Sequence, residues 1–302
     1  MKIDKYIEIK ISNCKGKVVV ITGANSGIGF EASKVLAKKG ATVVMACRNL
    51  NKANSARENI LSEVPDANIE IMHYDQASLQ SIKSFKENLL KIHPHIDAIV
   101  CNAGIYHPNK GQKTADGFPL TIGTNYLGLV YLIELLKDHL INTKIILVDS
   151  IASRFKKIKN YDFLVEENSP IFTQYAISKL AITKYYDYLS KNTDLDVYMM
   201  HPGVSSTNIF TSDGVSYAKW FKKIAKKLLP VFVHSPKKAS LGISLLVANN
   251  NPKHLTLGPR GIFQISGYPK TIKVKKYLRR NSDVLYKNAI EVLKRGEANV
   301  KC

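Results

Sequence analysis

Tyr175 and Lys179, in the run YAISK, stand four residues apart, so on a helix their side chains share one face. An ammonium beside a phenol stabilises the phenolate, drawing a tyrosine from its ordinary pKa of about 10 toward the range of a general acid or base. Such a pair occurs on many helices, and its weight comes from its companions. Ser150 closes the run KIILVDS, a hydroxyl at the carboxyl end of an expected strand. Asn125, in GTNYLG, places an amide in an otherwise apolar helical pattern. Together they make a proton-transfer set.

A second set would hold a dinucleotide. The first apolar run leads directly into TGANSGIG, where Gly23, Gly27 and Gly29 surround Asn25, Ser26 and Ile28. Glycine permits the tight turn and a close approach of pyrophosphate, and the helix that follows offers free N–H groups at its positive end. After the second run the chain reads ACRNLNKA, with Arg48 and Lys52 where an acid would bind the ribose hydroxyls of NAD. A guanidinium suits a 2′-phosphate, so NADP(H) is the expected cofactor. Asp75 and Gln76, in HYDQAS, fall at the adenine side, with Asp75 able to accept from the adenine amino group. Asn102, Ala103 and Gly104, in CNAG, lie where backbone must pass close to the cofactor. Pro202, Gly203, Val204 and Thr207, in HPGVSSTNI, fall near the expected nicotinamide carboxamide.

These residues need a scaffold that gathers strand ends. Apolar, β-branched runs at 17–22, 41–46, 69–73, 97–101, 144–149, 195–200 and 261–266 predict about seven strands. Helical patterns near 28–39, 51–62, 78–92, 119–140 and 173–191 separate them. Such alternation predicts an α/β fold: one doubly wound Rossmann-type parallel sheet with helices on both faces and its crevice at the strand carboxyl ends. No linker divides the chain, so residues 1–302 read as a single NADP-binding domain.

Composition narrows the function classes. Cys14, Cys47, Cys101 and Cys302 are scattered without a CxxC pair, which fits a reducing compartment and neither a disulfide framework nor a zinc site. The eight histidines show no ligand clustering, so no metal is expected, and His201 reads as structural. No apolar run approaches a membrane span, and the polar first residues predict neither signal peptide nor anchor; a cytoplasmic enzyme is expected. The net charge is +20, and residues 216–302 hold 19 Lys/Arg against 3 Asp/Glu. That asymmetry suits either a merely solvated surface or an anionic partner. Lysines outnumber arginines there and no nucleic-acid module is visible, so nucleic acid is not the expected partner.

The motifs TGANSGIG, NAG, Asn125, Ser150, YAISK and HPG occur in the order and spacing of the short-chain dehydrogenase/reductases, which the chain resembles over nearly its full length. ACRN, KTADGF (113–118), HPGV and the 25-residue step from Ser150 to Tyr175 resemble the retinol dehydrogenase-like branch. The resemblance implies that Tyr175 exchanges a proton with the reacting oxygen and that Ser150 hydrogen-bonds it. It implies that Lys179 binds the nicotinamide ribose and lowers the Tyr175 pKa, while Asn125 holds a relay water. It also allows a homodimer through the helices near 119–140 and 173–191. The branch usually has two serines where this chain reads Asp149-Ser150, and the catalytic one survives.

The implied activity is hydride transfer between NADP(H) and a carbonyl or alcohol of a hydrophobic substrate such as a retinoid, steroid or lipid. The alternative is an NADP-binding scaffold of the same fold without turnover; the intact set argues against it. SYAKWFKKIAKKLLPVF (216–232) has apolar residues at helical spacing and lysines opposite. Its place after HPGV makes a substrate lid around 210–235, whose lysine face would suit peripheral contact with an anionic membrane.

Overall fold

The computed structural model describes residues 1–106, 111–158, 169–204 and 235–300, with side chains through residue 297. Thr207 and the expected lid around 210–235 lie outside the described residues.

Eight strands form one sheet. In chain order they are β1 Val18–Thr22, β2 Thr42–Cys47, β3 Ile69–His73, β4 Ala98–Cys101, β5 Lys144–Val148, β6 Asp196–Met200, β7 Thr256–Pro259 and β8 Pro269–Thr271. Their spatial order is β3-β2-β1-β4-β5-β6-β7-β8, parallel except for the β7–β8 pair. The order reverses between β1 and β4, which opens a crevice at their carboxyl ends. Strand side chains alternate between two buried layers, as a sheet covered on both faces requires. Val20, Ile99, Ile145 and Leu147 join one core; Val19, Ile21, Val100 and Ile146 join the other.

On one face pack α1 (Ile3–Lys10), α2 (Gly27–Lys38), α3 (Leu50–Glu63) and α8 (Pro236–Ala248). On the other pack α4 (Leu79–Ile92), α6 (Gly128–Leu136), α7 (Ile171–Asn192) and α10 (Ser282–Val300). Two short helices, α5 (Leu120–Ile122) and α9 (Lys276–Arg279), are the others among the described residues. Asn49 and Ser78 cap α3 and α4 by accepting from Lys52 N and Ser81 N. Asn249 O, Val247 O and Leu246 O accept from Lys144 Nζ, which closes the last turn of α8 from the sheet.

Three expectations change. The run at 261–266 is no strand: Ile262–Gln264 is a 3-10 turn with Phe263 and Gln264 at φ +52° and +59°. Ile262 and Phe263 face solvent, and the seventh strand lies just before the turn, in TLGP. The helix expected over 119–140 is broken by a π turn, Gly123–Leu127, that contains Asn125. And α10, unforeseen, lies on α7: Leu285, Ala289 and Leu293 are buried, and Tyr286 stacks on Tyr188 with centroids 3.8 Å apart.

Candidate active site

The glycine turn is built for close approach. A Cβ at Gly29 would lie 2.5 Å from Gly23 O and 2.6 Å from Asn102 Nδ2, so no side chain fits there. Gly23 and Gly27 take φ +66° and +58°, which carries the chain from β1 into α2. Asn102 Nδ2 donates to Thr22 O (2.9 Å) and Gly23 O (3.2 Å), while Thr22 Oγ1 accepts from Asn102 N and Ala103 N. The NAG segment thus clamps the turn by its side chain as well as its backbone. Ser26 caps α2 without a side-chain bond, and Ile28, in the first turn of that helix, lines the crevice.

Arg48 and Lys52 are exposed past β2, with no ion-pair partner among the described residues. Two unneutralised cations at that strand end fit a phosphate. Asp75 Oδ1 accepts from Ala77 N (3.0 Å) in a tight turn. Gln76 is buried; its Nε2 donates to Thr124 O (2.6 Å) and Ala103 O (3.2 Å), and its Oε1 accepts from Tyr74 OH. Its side chain ties the NAG segment to the π turn, and its backbone carbonyl packs so closely on Gly128 that a Cβ there would stand 2.1 Å from it.

The π turn explains how Asn125 reaches inward. Its Oδ1 accepts from Ile105 N (2.7 Å), and its Nδ2 donates to Ile105 O (2.9 Å) and Ser178 Oγ (3.0 Å). π turns of this kind cluster at functional sites because the extra residue re-aims a side chain. Gly104 lies beside it: a Cβ there would stand 3.3 Å from Asn125 Oδ1 and 3.7 Å from Lys179 Nζ. Asn125 and Lys179 therefore meet at one point of the backbone.

Ser150, Tyr175 and Lys179 line a cavity of about 240 Å³ together with Asn102, Phe155 and Phe172. Tyr106 packs edge-on against Tyr175 with ring centroids 5.3 Å apart. Pro202, Gly203 and Val204 form the far wall, held by Val204 N donating to Ile265 O (2.8 Å). His201 is buried and shares Gln264 Oε1 with Arg154, a structural place as expected. The aromatic lining, Tyr106, Phe155 and Phe172, was invisible in sequence because its members come from three separate segments.

Burial dominates the titration of the set. It pushes Tyr175 up to about 12, opposed by a hydrogen bond to Ser150 and reinforced by the charge of Asp149. The expected lowering by Lys179 is thus overridden here; Lys179 Nζ stands 6.0 Å from the ring centroid and donates to Val148 O (2.9 Å). Burial lowers Lys179 to about 8, with Asp149 opposing. Burial also raises Asp149 to about 6, against the pull of Ser150 N–H, Lys179, Ser153 and Thr183. Among the described residues no cluster of metal-ligating side chains exists, and no helix is long and apolar enough to cross a membrane.

Residues 17–216 match the short chain dehydrogenase family. The chain is 31% identical to retinol dehydrogenase 13 of Homo sapiens over 234 residues, 74% of this chain and 70% of that protein. It is 42% identical to the WW domain-containing oxidoreductase of Gallus gallus over 148 residues, 48% of this chain but only 36% of that relative's length. A crystal structure of an uncharacterized protein from Mycobacterium paratuberculosis superposes with a TM-score of 0.74 at 24% identity, covering 94% of this chain and 96% of that one. A short chain dehydrogenase from Shigella flexneri, complexed with NADP, superposes at 0.62 with 18% identity, over 80% and 94% of the two chains. The chain therefore belongs to the short-chain dehydrogenase/reductase family of oxidoreductases, whose members bind a nicotinamide cofactor. Within that family it falls in the retinol dehydrogenase-like branch.

Proposed function

We propose that the protein is an NADP(H)-dependent oxidoreductase acting on a carbonyl or alcohol of a hydrophobic substrate, retinoid, steroid or lipid-like. The observation that carries this reading is the meeting of Ser150, Tyr175 and Lys179 on one aromatic-lined cavity beside the glycine turn. Bound NADP(H) would supply or accept the hydride. Ser150 would hold the reacting oxygen, and Tyr175 would give it a proton in reduction or take one in oxidation. A tyrosine held high by burial stays protonated at neutral pH, the form an acid needs. Asn125 and Lys179, which converge at Gly104, would carry the proton onward. Phe155, Phe172 and Tyr106 favour an apolar substrate body.

Buried free thiols at Cys14, Cys47 and Cys101 support a cytoplasmic enzyme, and the basic last third supports peripheral contact with an anionic membrane. Purified protein with NADPH should oxidise the cofactor in the presence of retinal-like or aryl carbonyls. Tyr175→Phe should lower turnover by about 1,000-fold or more, as loss of the acid demands, while NADPH still quenches protein fluorescence. Unchanged activity in that variant would sink the mechanism. A broad carbonyl panel without turnover, alongside tight NADPH binding, would favour the scaffold reading instead.

A further inference from the structure

Asp149 follows β5 and is buried, 6% exposed, immediately behind the catalytic helix. Its Oδ2 accepts from Ser153 Oγ (2.9 Å) and from Thr183 Oγ1 (3.0 Å); its Oδ1 is buried and makes no hydrogen bond among the described residues. Two contacts fix where the carboxylate lies. Thr183 stands one turn beyond Lys179 on α7, and its Oγ1 also touches Lys179 O (3.5 Å). Lys179 Nζ donates to the carbonyl of Val148, the residue just before Asp149. The carboxylate and the ammonium therefore occupy the same buried space between β5 and α7.

The other groups around Asp149 do not compete for this charge. Ser153 and Thr183 are neutral donors, Ser150 contributes its backbone N–H, and β6 contributes Met200 O, which accepts from Asp149 N. Arg154, on the same turn as Ser153, is engaged by His201 and Gln264. Tyr175 is the other titratable neighbour, and Asp149 acts on it unfavourably when ionised. A carboxylate alone in such a place is costly, and so is an ammonium alone; each offsets the other.

We propose that Asp149 is a positioning residue that keeps Lys179 an ammonium, its carboxylate acting on that cation across the buried space they share without a direct salt bridge. The proposal rests on the reading of Tyr175 and Lys179 given above. Its pH consequence follows from the two directions of shift. Burial holds Lys179 below its ordinary value, and Asp149 is what limits that fall; without the carboxylate, Lys179 loses its proton at lower pH.

In Asp149→Asn, which keeps the shape, the alkaline limb of kcat/KM should move down by about one pH unit or more, the scale of a lost buried partner. Asp149→Glu should bring the limb part of the way back, and Asp149→Ser should behave as Asp149→Asn. An alkaline limb unmoved in Asp149→Asn and Asp149→Ser would overturn the proposal. A second arm needs no turnover: urea unfolding of the full chain as wild type, Asp149→Asn, Lys179→Met and the double variant at pH 7. The double variant should be destabilised less than the two single losses added together; strict additivity would overturn the proposal as well. Coupling in urea with no turnover by wild type on any carbonyl would instead leave the charge coupling of Asp149 and Lys179 standing and bring down the proposed activity.

Discussion

On the proposed reading, Arg48 carries the preference for NADP(H) on one side chain. It is exposed, past β2, without an ion-pair partner among the described residues, so nothing offsets its charge before a phosphate arrives. Charge-assisted hydrogen bonds contribute about 1.5–3 kcal/mol. Arg48→Ala should therefore raise the Kd for NADPH roughly 10- to 100-fold and change that for NADH little, by fluorescence titration. Equal losses would mean that Arg48 does not read the 2′-phosphate. At this scale the sequence led to residues that the fold brings together: Ser150, Tyr175 and Lys179 line one cavity, and Asn125 approaches Lys179 beside Gly104. It was a poor guide to charge state. The upward shift of Tyr175 comes from burial beneath Tyr106 and the residues around Ser150, and burial is a property of the assembled fold. Asp149 was visible as a departure from the branch, yet its meeting with Thr183 and Lys179 could not be read from a single strand end.

The glycine turn works as a unit with the NAG segment, because Asn102 donates to two of its carbonyls. Gly29→Ala would drive a methyl into Gly23 O and the Asn102 amide. Overpacking of this kind costs about 1–3 kcal/mol. The variant should show a Tm lowered by several degrees and NADPH binding weakened at least tenfold; a Tm and affinity equal to wild type would refute the clamp. Six strands and five helical regions fell close to their expected places because parallel strands are continuously apolar and the helices between them are amphipathic. Where that signal weakens, the expectation failed. TLGP is four residues with a glycine and a proline, whereas the more apolar GIFQIS turns Ile262 and Phe263 outward. The π turn left no periodic signature either, since one inserted residue shifts the phase of a helix without changing its composition.

Charge belongs to the whole molecule. The last third carries most of the positive balance, and the turn after β7 adds two bare apolar side chains, Ile262 and Phe263, 80% and 82% exposed. That turn holds the Pro202–Val204 wall of the cavity through Ile265 O. The peripheral contact proposed above would set this basic segment and these apolar tips against an anionic bilayer. Co-sedimentation with liposomes should rise with anionic lipid and fall between low and physiological salt. Binding indifferent to both would dismiss the membrane. The helix α7 also meets a neighbour of its own chain: Tyr286 stacks on Tyr188, and Ser282 Oγ donates to the buried Asp187. That last bond joins residues 95 apart in sequence. Contacts of such range form late, because loop closure must be met before they contribute. The helix that bears Tyr175 and Lys179 is therefore expected to keep its tyrosine-lined back bare until folding is nearly over. In pulsed hydrogen exchange it would gain protection after the glycine turn, not with it.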